Sequence, residues 1–398
     1  MKKHNVFFVL FALVVSYHLQ AQDSISVKTR DKVILYTIGY NKFPDHCNVP
    51  LIGFINVAKG NHTGLQLGFT NNTADNFKGL AVGFANTVGN NINGGQIGFY
   101  NSDGNSSNGL TVGFFNSIGD KGTGAQIGFF NTLSDSFQGL HVGFLNTLGN
   151  SANGVQIGFF NTLGNSYQGL QVGFFNTLGN KTDGMQVGFF NTLGNSFRGL
   201  QVGFINTVGN KVEGVEVGFL NTTPKLAGLQ IGFINRVDTV EKGIPVGFLS
   251  FVKKGGYHAL EVGASEMFPV NISYKTGIKQ FYTSLVVSYS PISHNHYAIG
   301  LGIGTLIPIN EKLSFNPEFL SQTTCTVLWD QIYNLQLNGI YKISNQFSIV
   351  AGPSLVWNHL NDGTIFHKPS FSFYNTELNS KSKLLIGLNA AVRYQFGK

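Results

Sequence analysis

Hydrophobic and polar residues alternate along the chain in a phrase that returns every fifteen residues. "GLQVGFFNTLGN" at 169–180 is preceded by "NGVQIGFFNTLGN" and followed by "DGMQVGFFNTLGN". The Gly-Phe landmark stands at Gly53, Gly68, Gly83, Gly98, Gly113, Gly128, Gly143, Gly158, Gly173, Gly188, Gly203 and Gly218, then at Gly232 and Gly247, which makes fourteen units. Each of these glycines follows Ile, Leu or Val and precedes Phe, and in thirteen units the third residue on is Asn, Ser250 being the departure. The repeating structural residues are those of Gly173, Phe174, Asn176 and their successors Gly188, Phe189, Asn191. Period-two alternation places Leu170, Val172, Phe174 and Leu178 on one face of an extended strand and Gln171, Gly173, Phe175 and Thr177 on the other. The Gly-Asn that follows supplies a turn. Each unit therefore predicts one strand of about nine residues plus a turn.

A second period of thirty runs through the first. Phe77, Phe137, Tyr167 and Phe197 alternate with Ile92, Gly122, Ala152, Thr182 and Val212, while Leu80, Leu110, Leu140, Leu170 and Leu200 alternate with Gly95, Ala125, Val155, Met185 and Val215. An antiparallel up-and-down sheet accounts for this, because successive turns then lie at opposite ends; a flattened solenoid with two units per coil does so too. The charges favour the barrel. Between residues 61 and 220 they fall in turns, as at Asp75, Lys121, Asp183 and Arg198, with Glu216 the strand exception. A strand with lipid on one side and a lumen on the other needs no charge on either face. Nine residues at roughly 3.3 Å each, tilted by about 45°, rise some 21 Å, near the apolar band of about 25 Å.

After the repeats, eight longer alternating segments follow, roughly 258–268, 270–278, 281–290, 297–308, 312–322, 332–343, 346–357 and 384–396. The last places Ile386, Leu388, Ala390, Val392, Tyr394 and Phe396 on one face, like the closing strand of an outer-membrane barrel, with Gly397 and Lys398 beyond it. At the other end Lys2 and Lys3 precede an apolar run from Val6 to Val15, which predicts an export signal over 1–21. Four regions result: signal peptide 1–21, a lead-in with a first strand at 22–50, repeats at 51–257, and membrane-type strands at 258–398. The preferred fold is all-β, an antiparallel outer-membrane-type barrel of some 22 to 24 strands. The alternative is a β-solenoid followed by a small C-terminal barrel.

Composition agrees with the all-β class: 13% aromatic, 11% charged and 51 glycines. Without Lys2 and Lys3 the formal charge falls from +7 to +5, too small and scattered for a nucleic-acid partner. The units G-h-Q-h-G-F-h-N, followed by "KKGGYHALEVGASEMFPVNISYKTGIKQFY", resemble the surface repeat-containing proteins of Bacteroidota and spirochaetes. The resemblance covers most of the chain beyond the signal and implies an exported envelope protein with no assigned reaction.

Candidate chemistry is sparse. "HNH" at His294 to His296 reads as a polar loop without a carboxylate, and His258, His359 and His367 lie near strand ends. "GLGIGTL" from Gly300 lacks the lysine of a phosphate loop and reads as a strand of small inward residues. Cys47 and Cys325, the two cysteines, are candidates for one disulfide in an exported chain. The recurrent Asn reads as architecture, an amide closing a turn or a ladder. Gln66, Gln96, Gln126, Gln156, Gln171, Gln186, Gln201 and Gln230 line either a lumen or a solvated face. The expectation is a non-enzymatic outer-membrane protein without cofactor or metal, with a structural or porin-like role, lipid as its partner and envelope or extracellular proteins as possible others; an adhesin or ligand-binding solenoid anchored by a barrel is the alternative.

Overall fold

The computed structural model describes residues 33–35, 37–292, 296–325, 330–361 and 369–396. The predicted signal peptide, His294 and His367 lie outside them. The described chain is strand and turn without helix, in two sheets.

The first sheet, Tyr40 to Lys254, is a β-solenoid with one fifteen-residue unit per coil. Each residue pairs, parallel and in register, with the residue fifteen further on: Tyr167 with Thr182, Gly169 with Gly184, Gln171 with Gln186, Asn176 with Asn191. This overturns the preferred antiparallel barrel of 22 to 24 strands, in which neighbouring units would run in opposite directions, and it overturns the two-unit coil. The solenoid alternative and the C-terminal barrel stand. Where the landmark spacing drops to fourteen, the turn between Thr222 and Lys225 is one residue short, and the register passes from Thr207 with Thr222 to Lys211 with Lys225.

The unit is not one nine-residue strand. Its inward and outward positions change phase at Gly173–Phe174, the corner at which the equivalent Gly158–Phe159 and Gly203–Phe204 interrupt the strand, and the corner exchanges the faces that alternation alone assigns. Tyr167, Gln171, Asn176 and Leu178 point inward, while Leu170, Val172, Phe174 and Thr177 point outward. Asn176 explains the Gly-Phe-h-Asn spelling. Its Nδ2 donates to Val187 O at 3.0 Å and to Asn191 Oδ1 at 2.9 Å, so it satisfies the carbonyl before the next corner and continues a ladder. A Cβ on Gly173 would sit 2.6 Å from Asn161 Nδ2 and 2.3 Å from Gly158 O, so the amide fits only where glycine makes the corner. The ladder begins one coil earlier than the landmark shows. Asn41 donates to Asn56 Oδ1 at 3.0 Å although Ile38 and Gly39 occupy the places of Gly and Phe.

The thirty-residue period is a packing rule inside the stack. Coils rise about 4.8 Å, less than an inward-pointing ring requires, so large residues alternate with small ones. The Phe137 ring fills the space above Gly122, where a Cβ would lie 2.7 Å from the ring. Tyr167 stands between Ala152 and Thr182, and Phe197 between Thr182 and Val212. Phe137, Ala152, Tyr167, Phe197 and Val212 belong with the Leu148, Leu163, Leu178, Leu193 row to one buried apolar cluster.

The second sheet closes on itself as an eight-stranded antiparallel barrel: Tyr257–Ala264, Val270–Ile278, Phe281–Ser290, His296–Gly304, Leu313–Thr324, Gln331–Lys342, Phe347–His359 and Ser382–Phe396, the last pairing with the first. A short strand, Tyr374–Asn379, extends the eighth. The last coil abuts the barrel, where Thr276 Oγ1 donates to Ser250 O at 2.6 Å and Ile278 joins the solenoid's apolar cluster through Val252.

Candidate functional site

The chain's chemistry resides in surfaces and ladders. Four outward rows run the length of the solenoid, those of Leu170, Val172, Phe174 and Phe175. The Val172 row is Val, Ile or Leu in all fourteen coils and the Phe174 row is Phe in all fourteen; the other two are apolar but for Gly95 and Thr70, and none of the four carries a charge. Successive Phe rings stack from Phe54 to Phe248 with centroids 4.7–5.2 Å apart and planes within 15°. Thirteen of these rings are 37–56% exposed. At 150–250 Å² per ring they alone present roughly 1,000 Å² of apolar surface, beyond the 300–600 Å² usual for a monomer's largest patch.

The barrel wall continues this surface. Alternation turns Val287, Ile299, Leu301, Ile303, Leu335, Ile349, Leu355 and Trp357 outward, all more than a third exposed. Polar groups fill the interior. Lys275 Nζ donates to both oxygens of Glu318 at 2.6 and 2.7 Å and approaches Glu261 at 3.3 Å; Arg393 pairs with Glu261 at 2.5 Å and donates to Tyr257 Oη and Asn316 Oδ1. Two cations thus meet two carboxylates in a buried, hydrogen-bonded knot. The space left beside it is about 30 Å³, room for one water. Over one end the loop at 265–269 folds inward, burying Met267 and Phe268 against Ile332, Val356 and Leu385, with Glu266 Oε2 accepting from Ser354 Oγ at 2.5 Å. The barrel is plugged.

Inside the solenoid the Gln row is neither a lumen nor a solvated face. Gln171, Gln186 and Gln201 are fully buried, each donating Nε2 to the Oε1 of the Gln one coil before at 2.6–2.8 Å. Glu216 takes the next place. Gln230 donates to its Oε2 at 2.6 Å, while Glu216 Oε1 and Gln201 Oε1 have no partner. A proton on Glu216 supplies the donor that ladder position requires, and burial raises its pKa to about 8. His141 occupies the same row, its pKa lowered to about 3 by burial, hence neutral. Asp103 replaces Leu in the apolar row and is raised to about 7, chiefly by burial, with Ser107 and Gln96 opposing.

Of the sequence candidates, Gly173, Asn176, Gly188 and Asn191 meet in the corner ladder, and Phe174 and Phe189 lie outside it in the ring stack. Cys47 is buried in the first coil and Cys325 exposed at the barrel rim; both are free thiols, so the candidate disulfide is absent. His258 bridges the two bodies, between Val252 O and Thr276 Oγ1, and His359 meets Ser382 Oγ at 3.0 Å. Gly300 and Gly302 are small inward residues of the fourth barrel strand. Among the described residues no three His, Cys, Asp or Glu side chains gather to hold a metal. Alternation foreshadows the outward Val and Phe rows, but the barrel's ionic knot gave no signal, since Glu261, Lys275, Glu318 and Arg393 are scattered over 133 residues. Comparison of the chain with protein-family models, with curated proteins and with solved structures gave no match.

Proposed function

We propose that the protein is a non-enzymatic envelope protein in which the C-terminal barrel is a membrane anchor and the solenoid a surface-displayed scaffold for binding. The carrying observation is the barrel's polarity: an outward band of Val, Ile, Leu and Trp around a neutralised ionic interior is stable where hydrocarbon surrounds it. The plugged interior supports anchoring rather than passage. On the solenoid, the part of the coil farthest along the chain from the Phe174 corner carries Gln168 and the charged turn, where Arg198 and Lys211 pair with Glu213. That polar, regularly spaced side is the one offered to envelope or extracellular partners.

Fractionation of the exported full-length protein, followed by reconstitution in planar bilayers, tests this reading. The expected result is extraction only by detergent, heat-modifiable migration as for a folded barrel, and no steady conductance. Recovery as a detergent-free soluble monomer refutes the anchor, and stable channel openings refute the plug.

A further inference from the structure

We infer that the four-row apolar face of the solenoid is a lipid-contact surface, which lays the solenoid along the bilayer that holds the barrel. The inference rests on the anchor reading and deepens it. Its first support is continuity. A groove of about 640 Å³ runs outside the last six coils, floored by Gly173, Gly188, Gly203, Gly218, Gly232 and Gly247 and walled by the Val172 row. At Val246 and Gly247 it opens into a hollow of about 400 Å³ whose far side is the outer barrel wall, Phe281, Leu301, Ile303 and Phe319. One uninterrupted apolar surface therefore passes from barrel to solenoid, and whatever solvates the barrel wall solvates the last coils.

Dimensions give the orientation. Fourteen coils at about 4.8 Å make a strip some 60 Å long, twice the roughly 30 Å hydrocarbon core, so the strip cannot stand along the membrane normal and remain in hydrocarbon. Across the coil, the Leu170, Val172 and Phe174 rows span about 13 Å, which fits one leaflet. The uncharged rows need no polar partner, as lipid tails require, whereas the turn charges lie outside these rows and remain in water.

The test uses full-length protein in vesicles of phosphatidylcholine with brominated acyl chains, which quench indole fluorescence on contact. Trp357, on the outer barrel wall, reports the anchor in a W329F background; F174W and V187W, each in W329F/W357F, report the strip, and K181W in the same background the charged turn. Heat-modifiable migration and strand circular dichroism select folded variants, and the two strip variants cover the failure of either. The expected result is quenching of F174W or V187W to at least half the extent of Trp357, with K181W unaffected. Quenching of Trp357 without the strip variants overturns the inference and leaves the anchor standing, as does a strip shielded from both brominated lipid and aqueous iodide, the signature of a second copy. An unquenched Trp357 overturns the anchor and the inference together.

Discussion

Replacing Glu216 with Gln tests whether the Gln row is a dry interior ladder. In the folded chain Glu216 keeps its proton up to about pH 8, because burial disfavours the carboxylate; in the unfolded chain it ionises near 4.5. Between these values the native state holds one proton more than the unfolded state. The group's stabilisation is therefore complete below about pH 4.5, declines as pH rises, and is lost above about pH 8, at about 1.4 kcal/mol per pH unit. At pH 7 the loss amounts to about 3 kcal/mol. Glu216→Gln has no proton to lose, and its Nε2 donates to the vacant Gln201 Oε1 in the manner of its neighbours. Urea unfolding followed by circular dichroism, run on both proteins from pH 5 to 9, should show the variant's advantage growing by about 1.4 kcal/mol per unit to pH 8 and then levelling. Asp103 and His141 titrate in both proteins and cancel in the difference. A difference that does not change with pH would refute the reasoning, since a carboxylate in a water-lined lumen titrates normally and leaves no slope.

Three further outcomes follow from the packing. Asn176→Ala strips partners from Asn161 Nδ2, Val187 O and Asn191 Oδ1, and should destabilise the solenoid by about 2–4 kcal/mol, read as accelerated amide exchange centred on residues 161–191. Deleting residues 169–183 removes one whole coil and should leave a folded solenoid, but it stacks Tyr167 directly on Phe197; it should unfold about 1–3 kcal/mol more easily than a 169–198 deletion, which keeps large above small, as thermal melts of the pair would reveal. Val287→Arg on the barrel wall should lose about 2–4 kcal/mol of folding free energy in bilayers if it lies near the midplane, measured by refolding titration into vesicles.

Period and class were legible in the sequence, and the hand of the pairing was not. The eight barrel strands were placed within a few residues because period-two alternation survives unbroken in strands such as Phe281–Ser290 and Phe347–His359. In the repeats the same rule misassigned the faces, since the corner at Gly173–Phe174 shifts its phase: Leu178 turns inward and Phe174 outward, where alternation grouped the two together. Uncharged faces argued for lipid and lumen, yet the inner face carries amides that satisfy one another when buried, the Asn ladder and the Gln row from Gln156 to Gln201, and Glu216 conforms by holding a proton. The thirty-residue period of Phe137, Ala152 and Tyr167 looked like strand reversal and is steric alternation along a single stack, a distinction that spacing alone does not carry.

Distances between spin labels along the Thr row test the one-unit parallel coil most directly. In a C47A/C325S background, a label at Thr192 is paired in turn with one at Thr132, Ser117 and Ser102, four, five and six coils away. Pulsed electron resonance should return about 19, 24 and 29 Å, a straight line at about 4.8 Å per coil. A sawtooth, in which the five-unit pair is displaced by the length of a strand because odd neighbours lie at the opposite end of an antiparallel sheet, would contradict the solenoid.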